Sequence, residues 1–262
     1  MTQTLRRAPW GALTLLLLAA PVSARGGDDC NGWRDREGDH RYCETRELTV
    51  DGLPGLLSVD ARRNGGISVL AWDRDEIAVE ARISAWDRHE DDARSVVAAV
   101  EIELGPTIRA HGPDEDSWSV SYRIHVPRDT NLDLRAHNGG LSVTGIRGDL
   151  RLDTENGGIS LDAVAGDVEA RTTNGGVDVD LVGSSWEGSR LDVETRNGGV
   201  DLSVPDGYSA ELEVGTVNGR VEIDFPVTVQ GRLDRNIRTT LGAGGELVRV
   251  VTTNGGVRVR RR

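Results

Sequence analysis

The chain has 262 residues and a formal net charge of −12 at pH 7, and arginine fills all 31 of its Lys or Arg positions. The absence of lysine excludes Schiff-base chemistry and the phosphate loops that depend on a lysine. The acidic balance argues against binding to nucleic acid or to an anionic membrane surface, so neither is expected as a partner.

Residues 1–24 have the three parts of a secretory signal peptide. Arg6 and Arg7 supply the positive charge, residues 10–20 are mostly apolar, and Val22-Ser23-Ala24 forms a small-residue cleavage site. No later apolar run reaches the roughly 18 residues typical of a membrane-spanning helix. We therefore predict an exported chain in the periplasm, at the cell surface or secreted, with no transmembrane segment after cleavage.

Cys30 and Cys43 are the only cysteines. In an exported chain, two cysteines that close a short loop predict a disulfide, which adds about 3 kcal/mol in the chain-entropy model. With His40 as the one nearby histidine, they do not fill a zinc site. We assign residues 25–44 to a disulfide-closed cap, because a solenoid needs its open end covered.

Residues 45–130 predict an irregular N-terminal β part with one short helix near residues 90–100. The acidic run Glu90-Asp91-Asp92 precedes Ala93, Val96 and Val97, which is the order expected where a helix begins. Asn64-Gly65-Gly66 matches a marker that repeats later in the chain. The residues before it lack the later alternation, so we interpret this copy as degenerate.

Residues 131–262 repeat an Asn-Gly marker. The marker begins at Asn138, Asn156, Asn174, Asn197, Asn218 and Asn254, with spacings of 18, 18, 23, 21 and 36 residues. The last spacing is twice 18, and Asn236 stands halfway without the glycines of the marker. Apolar residues alternate on both sides of each marker, which predicts two half-buried strands per copy.

Two all-β folds fit this repeat. The first is a β-solenoid of about 18-residue coils, like a parallel β-helix or β-roll. The second is an antiparallel β-meander or sandwich, because Asn-Gly is also a hairpin signal. Stacking by repeat places Arg151 between Asp133 and Glu169, whereas hairpin pairing places Glu169 opposite Asp180, which it repels. The charges therefore favour the solenoid.

The solenoid predicts where side chains at fixed offsets from the marker lie. The six asparagines should point inward at one corner, buried, and form a ladder of hydrogen-bonded amides. Acidic residues four and six positions after the markers should share one exposed face, the acidic face: Asp162, Asp178, Asp180, Asp201, Glu222 and Asp224. We interpret this face either as a solvated surface that prevents aggregation, or as a site for divalent cations or a basic partner. The basic cluster Arg258, Arg260, Arg261 and Arg262 is interpreted as a solvated chain end.

Several of these segments together resemble the bacterial putative-adhesin family, an exported domain-of-unknown-function group related to head domains rich in Gly-Ile-Asn. The resemblance rests on the strands Ile67-Ser68-Val69 and Ile77–Glu80, the helix near Ala93, and the copies of Asn156-Gly157-Gly158-Ile159 and Gly166-Asp167-Val168. It spans residues 45–260. The resemblance implies a β-solenoid at the cell envelope with a role in adhesion or scaffolding, and no shared catalytic residues.

The sequence shows no catalytic motif. Ser184 and Ser185 miss the Gly-x-Ser-x-Gly spacing, and the five histidines lack metal-ligand spacing. We predict a non-enzymatic module without a cofactor, whose partner is an envelope protein or a glycan. The alternatives are a β-helix lyase or hydrolase that acts on polysaccharide, and a surface module for divalent cations. Calcium would be the ion, although the Gly-Gly-x-Gly-x-Asp order of calcium rolls is missing.

Overall fold

The computed structural model describes residues 23–26, 40–50, 52, 55–113, 116–226 and 236–262. In the N-terminal part the elements are β1 (Ser23–Gly26), β2 (His40–Val50), β3 (Leu57–Asp60), β4 (Ile67–Trp72), β5 (Ile77–Asp87), α1 (Glu90–Ala99), β6 (Glu101–Leu104), β7 (Thr107–His111) and β8 (Trp118–Pro127). In the repeats they are β9 (Leu132–Asn138), β10 (Leu141–Thr144), β11 (Arg147–Asn156), β12 (Ile159–Asp162), β13 (Ala165–Asn174), β14 (Val177–Asp180), β15 (Arg190–Asn197), β16 (Val200–Val204), β17 (Ala210–Asn218), β18 (Val221–Ile223), β19 (Asn236–Leu241), β20 (Leu247–Asn254) and β21 (Val257–Arg261).

The described strands form two sheets that face each other. The first sheet has the order β1-β2-β5-β8-β4-β10-β12-β14-β16-β21-β18, and the second has the order β19-β17-β20-β15-β13-β11-β9-β3-β7-β6. Each repeat gives one strand to each sheet and pairs with its neighbours in parallel, so that Leu150 lies beside Val168 and Ile159 beside Val177. The predicted β-solenoid with one short helix is confirmed, and the antiparallel alternative is wrong for the repeats.

The core lies between the sheets and follows the period-two alternation of the sequence. In one coil, Leu150 and Leu152 of the second sheet and Ile159 and Leu161 of the first are each at most 2% exposed. Burying each such side chain stabilises the fold by about 1.5–3 kcal/mol. The residues between them face solvent, which is why the outer faces of both sheets are polar.

The glycines of the marker are required because successive coils touch at the corner. A Cβ atom on Gly157 would lie 2.1 Å from the carbonyl oxygen of Gly139 in the preceding coil. A Cβ atom on Gly175 or on Gly198 would lie 2.0 Å from the carbonyl oxygen of the corresponding glycine in the preceding coil. Any side chain at this position would separate the coils, so the repeat tolerates only glycine here.

The outer face of the second sheet carries charges that alternate along the stack. Arg151 lies between Asp133 and Glu169 in the strand register, as the sequence predicts. Its Nε is 3.4 Å from Oε2 of Glu169. Unlike charges in neighbouring strands stabilise the parallel stack by a few tenths to about 1 kcal/mol each.

The N-terminal part supplies a further coil. β3 and β4 pair with β9 and β10, and the side chain of Asn64 joins the asparagines of the repeats. Before Asn64 the buried positions are Leu57, Val59 and Ala61, one residue out of step with the later coils. Arg62 adopts a left-handed backbone conformation with φ 55° and so absorbs the extra residue. The copy is therefore irregular in spacing but occupies a full place in the stack.

Helix α1 covers the antiparallel strands β2 and β5 at the N-terminal end. Ala93 and Val97 are its buried residues. Arg46 of β2 donates from Nη2 to the carbonyl oxygen of Val97 at 3.0 Å and also contacts the carbonyl of Val100. An arginine on the last carbonyls of a helix satisfies orphan acceptors, so this contact fixes the helix C-terminus.

The last segment of the chain does not stack last. β20 pairs with both β15 and β17, and β21 pairs with both β16 and β18. The C-terminal coil is thus inserted between the two coils that precede it in the sequence. Asn236 begins β19, which runs antiparallel to β17 at the edge of the second sheet. Asn236, which stands halfway between the last two markers, therefore does not begin a further parallel coil.

Candidate binding surface

The corner where each coil turns from the second sheet to the first carries a row of hydrogen-bonded asparagines. Each donates from Nδ2 to Oδ1 of the preceding asparagine in the stack, at 2.8–3.1 Å. The structure brings together all six asparagines of the repeats and adds a seventh; the stacking order is Asn64, Asn138, Asn156, Asn174, Asn197, Asn254 and Asn218. We call this row the asparagine ladder.

The six ladder asparagines of the repeats are exposed and Asn64 is half-buried, so the expectation that the six are buried is wrong. Each strand ends at its asparagine, and the bend at the next glycine turns the side chain to the outside of the corner. A buried threonine two residues earlier occupies the inside. Thr172 donates from Oγ1 to the carbonyl oxygen of Gly157 at 2.7 Å. Equivalent bonds of 2.8 Å come from Thr154, Thr195, Thr216 and Thr252.

The acidic face is not continuous. Its members adjacent in neighbouring strands are Asp162 with Asp180, and Asp178 with Asp201. Beyond Asp201 the next strand is β21, so Arg258 stands where Glu222 was expected. The expectation that all six acidic residues lie together is therefore wrong, because it assumed that the coils stack in sequence order.

The C-terminal arginines contact this face. Arg258 lies between two carboxylates, with Nη1 3.6 Å from Oδ1 of Asp201 and Nε 3.5 Å from Oε2 of Glu222. Arg260 places Nη2 3.0 Å from the same oxygen of Asp201. The arginines are exposed, as a solvated chain end implies, and in addition they are paired with acidic residues. Arg258 stands four residues after its marker, where three earlier copies have an acid, and this change of sign is the signal that sequence reasoning missed.

Two further contacts join the C-terminal arginines to the acidic face. Arg262 places Nη1 3.6 Å from Oδ1 of Asp180, and the backbone N–H of Arg261 donates to Oδ1 of Asp224 at 3.0 Å. Asp162 and Asp178 are the two members of the acidic face for which no arginine contact is seen in the described part of the chain. The face therefore offers few unpaired carboxylates for a cation.

A second surface on the first sheet was not anticipated. An open groove of about 800 Å³ crosses strands β4, β10 and β12. Along it lie Ser68, Ser142 and Ser160, which pair side by side in the strand register and form what we call the serine row. Within the described residues their hydroxyls have no protein hydrogen-bond partner. Each hydroxyl has one donor and two acceptor positions, so the row is available to a ligand.

The ends of the groove are charged. At one end Arg123 lies beside Ser68 and places Nη1 3.3 Å from Oε1 of Glu80. At the other end Asp178 follows Ser160 in register. One side of the groove is formed by the marker glycines. A Cβ atom on Gly66 would lie 2.9 Å from the Gly140 carbonyl oxygen, so this side stays free of side chains. The sequence carries a signal for this row, because each serine stands four residues after a marker asparagine, at the offset that also predicts the acidic face.

The histidines are not gathered into one site. His111 hydrogen-bonds Glu103 at 2.9 Å, and together with Arg109 it lowers the pKa of that carboxyl. His125 stacks on Trp72 with ring centroids 5.3 Å apart. Over the described ranges, one group of three metal-type donors converges within 4.8 Å: Asp87, His89 and Asp92. It is largely exposed, and His89 already contacts Asp92 at 3.3 Å.

Cys30 lies outside the described residues, so the disulfide between Cys30 and Cys43 stays a prediction. Cys43 is buried in β2, and its Sγ lies 3.1 Å from Oγ of Ser84 in the neighbouring strand β5. β1 pairs with β2 and includes Ser23 and Ala24, so cleavage after Ala24 would shorten β1. Among the residues that the structure describes, no helix is long and apolar enough to cross a membrane.

Comparison with known proteins identifies the family of the chain. The family model Toastrack DUF4097 matches residues 119–260, more than half of the chain. No curated protein matches significantly. A crystal structure described as a putative cell adhesion protein from Clostridium sporogenes ATCC 15579 is 11% identical, with 83% of this chain and 100% of that chain covered at a TM-score of 0.37. One described as a putative adhesin from Bacteroides fragilis NCTC 9343 is 12% identical, with coverages of 84% and 97% and a TM-score of 0.39.

Proposed function

Because the chain belongs to the Toastrack DUF4097 family, we propose that it is an exported, non-enzymatic module of the cell envelope with an adhesion-like role. In this proposal it holds a hydroxyl-rich polymer, a glycan of the envelope, along the serine row. The predicted signal peptide supports export, and the resemblance to adhesin-type solenoids supports a binding role.

The observation that carries the proposal is the unpaired serine row in an open groove. Neighbouring strands in a sheet are about 4.8 Å apart, so the three hydroxyls repeat at that interval along the stack. A polymer with repeating hydroxyl groups can exchange hydrogen bonds with one coil after another. Extended surfaces of this kind are what solenoids use for binding.

The outer face of the second sheet is a less suitable surface, because its charged residues are paired with each other. Arg135 contacts Asp133 at 2.9 Å, and Arg249 contacts Asp192 at 2.6 Å. A ligand that bound there would have to displace these internal partners. The serine row has none to displace, so it favours the first sheet as the binding face.

The groove residues also favour binding over glycan cleavage. A glycosidase needs two carboxyl groups on either side of the bond, one of them protonated. Glu80 is held by Arg123, and Asp178 lies beyond the serine row at the opposite end. A polysaccharide lyase or hydrolase remains the alternative function, and the release of reducing ends in the binding assay would reveal it.

The test is a binding screen of residues 25–262 against purified envelope polysaccharides and an array of glycans, with envelope proteins as a second arm. Ser160→Trp fills the exposed end of the row. Asp153→Trp places the same side chain in the same coil on the second sheet, where Asp153 is also exposed. We expect Ser160→Trp to weaken glycan binding at least about tenfold, which corresponds to 1.4 kcal/mol, and Asp153→Trp to leave it unchanged.

The melting temperatures of both variants provide the folding control. Equal loss of binding in the two variants would move the site away from the groove. Binding to an envelope protein alone, with no glycan retained, would replace the glycan by a protein partner.

A further inference from the structure

The Asn-Gly markers that form the corner are also prone to deamidation. In an Asn-Gly pair the backbone nitrogen of glycine can attack Cγ of the asparagine, because glycine has no side chain to hinder the approach. The new N–Cγ bond closes a succinimide ring as the Cγ–Nδ2 bond breaks. The amide group leaves as ammonia and takes up the proton lost by the glycine nitrogen. Water then opens the ring at either carbonyl and gives aspartate or isoaspartate.

The solenoid restrains this reaction wherever another coil follows. The attacking N–H of each such glycine donates to the carbonyl oxygen of the next asparagine in the stack. The six bonds, of 3.0–3.1 Å, are made by Gly65, Gly139, Gly157, Gly175, Gly198 and Gly255. All six glycines are also half-buried. A nitrogen engaged in this way must first break its hydrogen bond by local opening of the corner, which lowers the rate of attack.

The Asn218-Gly219 pair lacks the restraint. Its coil is the last of the parallel coils, and beyond β17 the described chain adds the antiparallel strand β19, in which Asn236 pairs with Gly215 and not with Gly219. In the described part of the chain the Gly219 N–H has no acceptor, and both residues are exposed. The Asn218 side chain makes one ladder bond, from Nδ2 to Oδ1 of Asn254 at 2.8 Å. We propose that Asn218 is the site of spontaneous deamidation among the Asn-Gly pairs that the structure describes.

The product would weaken the end of the stack. A carboxylate at position 218 has no donor for Oδ1 of Asn254, so two oxygens would face each other where the ladder now has a hydrogen bond. Isoaspartate also adds a methylene group to the main chain three residues before β18, a short strand that pairs with β21 alone in the described sheet. Conversion should therefore loosen the terminal coil and leave the other coils intact.

Asn64 is the matched internal control. It stands at the opposite end of the ladder, yet the N–H of Gly65 donates to the carbonyl oxygen of Asn138 at 3.0 Å. If a place at the end of the ladder were sufficient, the half-buried Asn64 would convert together with Asn218, and if exposure were sufficient, the exposed Asn174 would do so. If the rate depends on a glycine nitrogen without a hydrogen-bond acceptor, Asn218 converts and Asn64 does not.

The experiment incubates the folded full-length mature protein at mildly alkaline pH and follows each Asn-Gly pair by peptide mapping and mass spectrometry. Synthetic peptides with the local sequences around positions 64, 174 and 218 give the unrestrained rates. We expect Asn218 to convert at least about fivefold faster than Asn64 and Asn174 in the folded protein, and the three peptides to convert alike. Conversion at Asn31, outside the described residues, is counted separately.

Equal rates at Asn64 and Asn218 would overturn the proposal, as would an Asn218 that stays intact while its peptide converts. Asn218→Gln slows ring closure and should remove the product. Asn218→Asp imitates one product and should lower the melting temperature. Gly219 is left unchanged, because a Cβ there would lie 1.7 Å from the Gly255 carbonyl oxygen and could prevent folding.

Discussion

Arg258 lies directly beside Asp201 on the outer face of the first sheet, although 57 residues separate them in the sequence. On the second sheet Arg249 of the same coil lies between Asp192 and Glu213, at 2.6 and 3.4 Å. If the coils stacked in sequence order, Asp192 would meet Glu213 and Asp201 would meet Glu222. The inserted C-terminal coil replaces these two repulsive contacts with four attractive ones, which gives a physical reason for the order observed.

Reversing the charge of Arg249 should destabilise the protein. Arg249→Glu would place three acids in one column, and we expect the free energy of unfolding to fall by about 1–2 kcal/mol. Arg196→Glu makes the same charge change at an exposed corner residue and is the control. Urea unfolding of both variants measures the difference; a similar effect for the two would mean that net charge, and not the column, is responsible.

Removing one amide from the ladder should cost less than removing one threonine hydroxyl beneath it. Asn174 is exposed, so water can replace its partners, and Asn174→Ala should cost about 1 kcal/mol. Thr172 is buried, and Thr172→Val would leave the Gly157 carbonyl without its donor, at a cost of about 1–3 kcal/mol. Thermal or urea unfolding measures the loss of stability in each variant. A larger loss for Asn174→Ala than for Thr172→Val would mean that the exposed amides stabilise the corner more than the buried hydroxyls do.

Much of the coil architecture can be predicted from the sequence because its cause is local. Alternation on both sides of each Asn-Gly marker fixes which side chains enter the core, and Leu150 and Ile159 lie where the pattern places them. Alternation extended through Asn156 predicts buried asparagines, and this is wrong because the strand has already ended at the bend. Side chains alternate between the core and solvent only while the chain stays extended.

The position of the last coil is harder to predict, because every coil presents nearly the same strand edges and corner hydrogen-bonding groups to a neighbouring coil. Asn254 can form a ladder bond with any other marker, and Thr252 can reach any marker glycine. Only the charges on the outward-facing residues distinguish the possible positions of the last coil, and each surface ion pair contributes little to stability. The serine row could have been predicted from the offset of four residues after Asn64 and Asn138, which brings Ser68 and Ser142 together although they are 74 positions apart in the sequence.

Calcium should have little effect on the stability of the protein. Arg258 and Arg260 already contact Asp201, so a cation would have to compete with them. We expect a melting temperature that changes no more with several millimolar calcium than with sodium chloride of matched ionic strength. A rise that follows the logarithm of the calcium concentration, and that Asp178→Asn removes, would restore the acidic face as a cation site.

Reducing the predicted disulfide should lower the melting temperature and leave the β-rich circular dichroism in place. The expected loss is about 3 kcal/mol, because the loop between Cys30 and Cys43 is short, and the core between the repeats does not depend on it. Thiol titration of the unfolded protein provides the check. Two reactive thiols in protein purified from an oxidising compartment would contradict the assignment.

The order of the coils can be measured directly by engineered disulfides. Neighbouring parallel strands bring paired Cα atoms to about 4.8 Å, within the range a disulfide can bridge, whereas strands two apart are out of reach. Asp201→Cys with Arg258→Cys should therefore cross-link under mild oxidation, and Asp201→Cys with Glu222→Cys should not. Peptide mapping separates both products from the native cysteines. Cross-linking of positions 201 and 222, with none between 201 and 258, would contradict the inserted coil and restore a continuous acidic face.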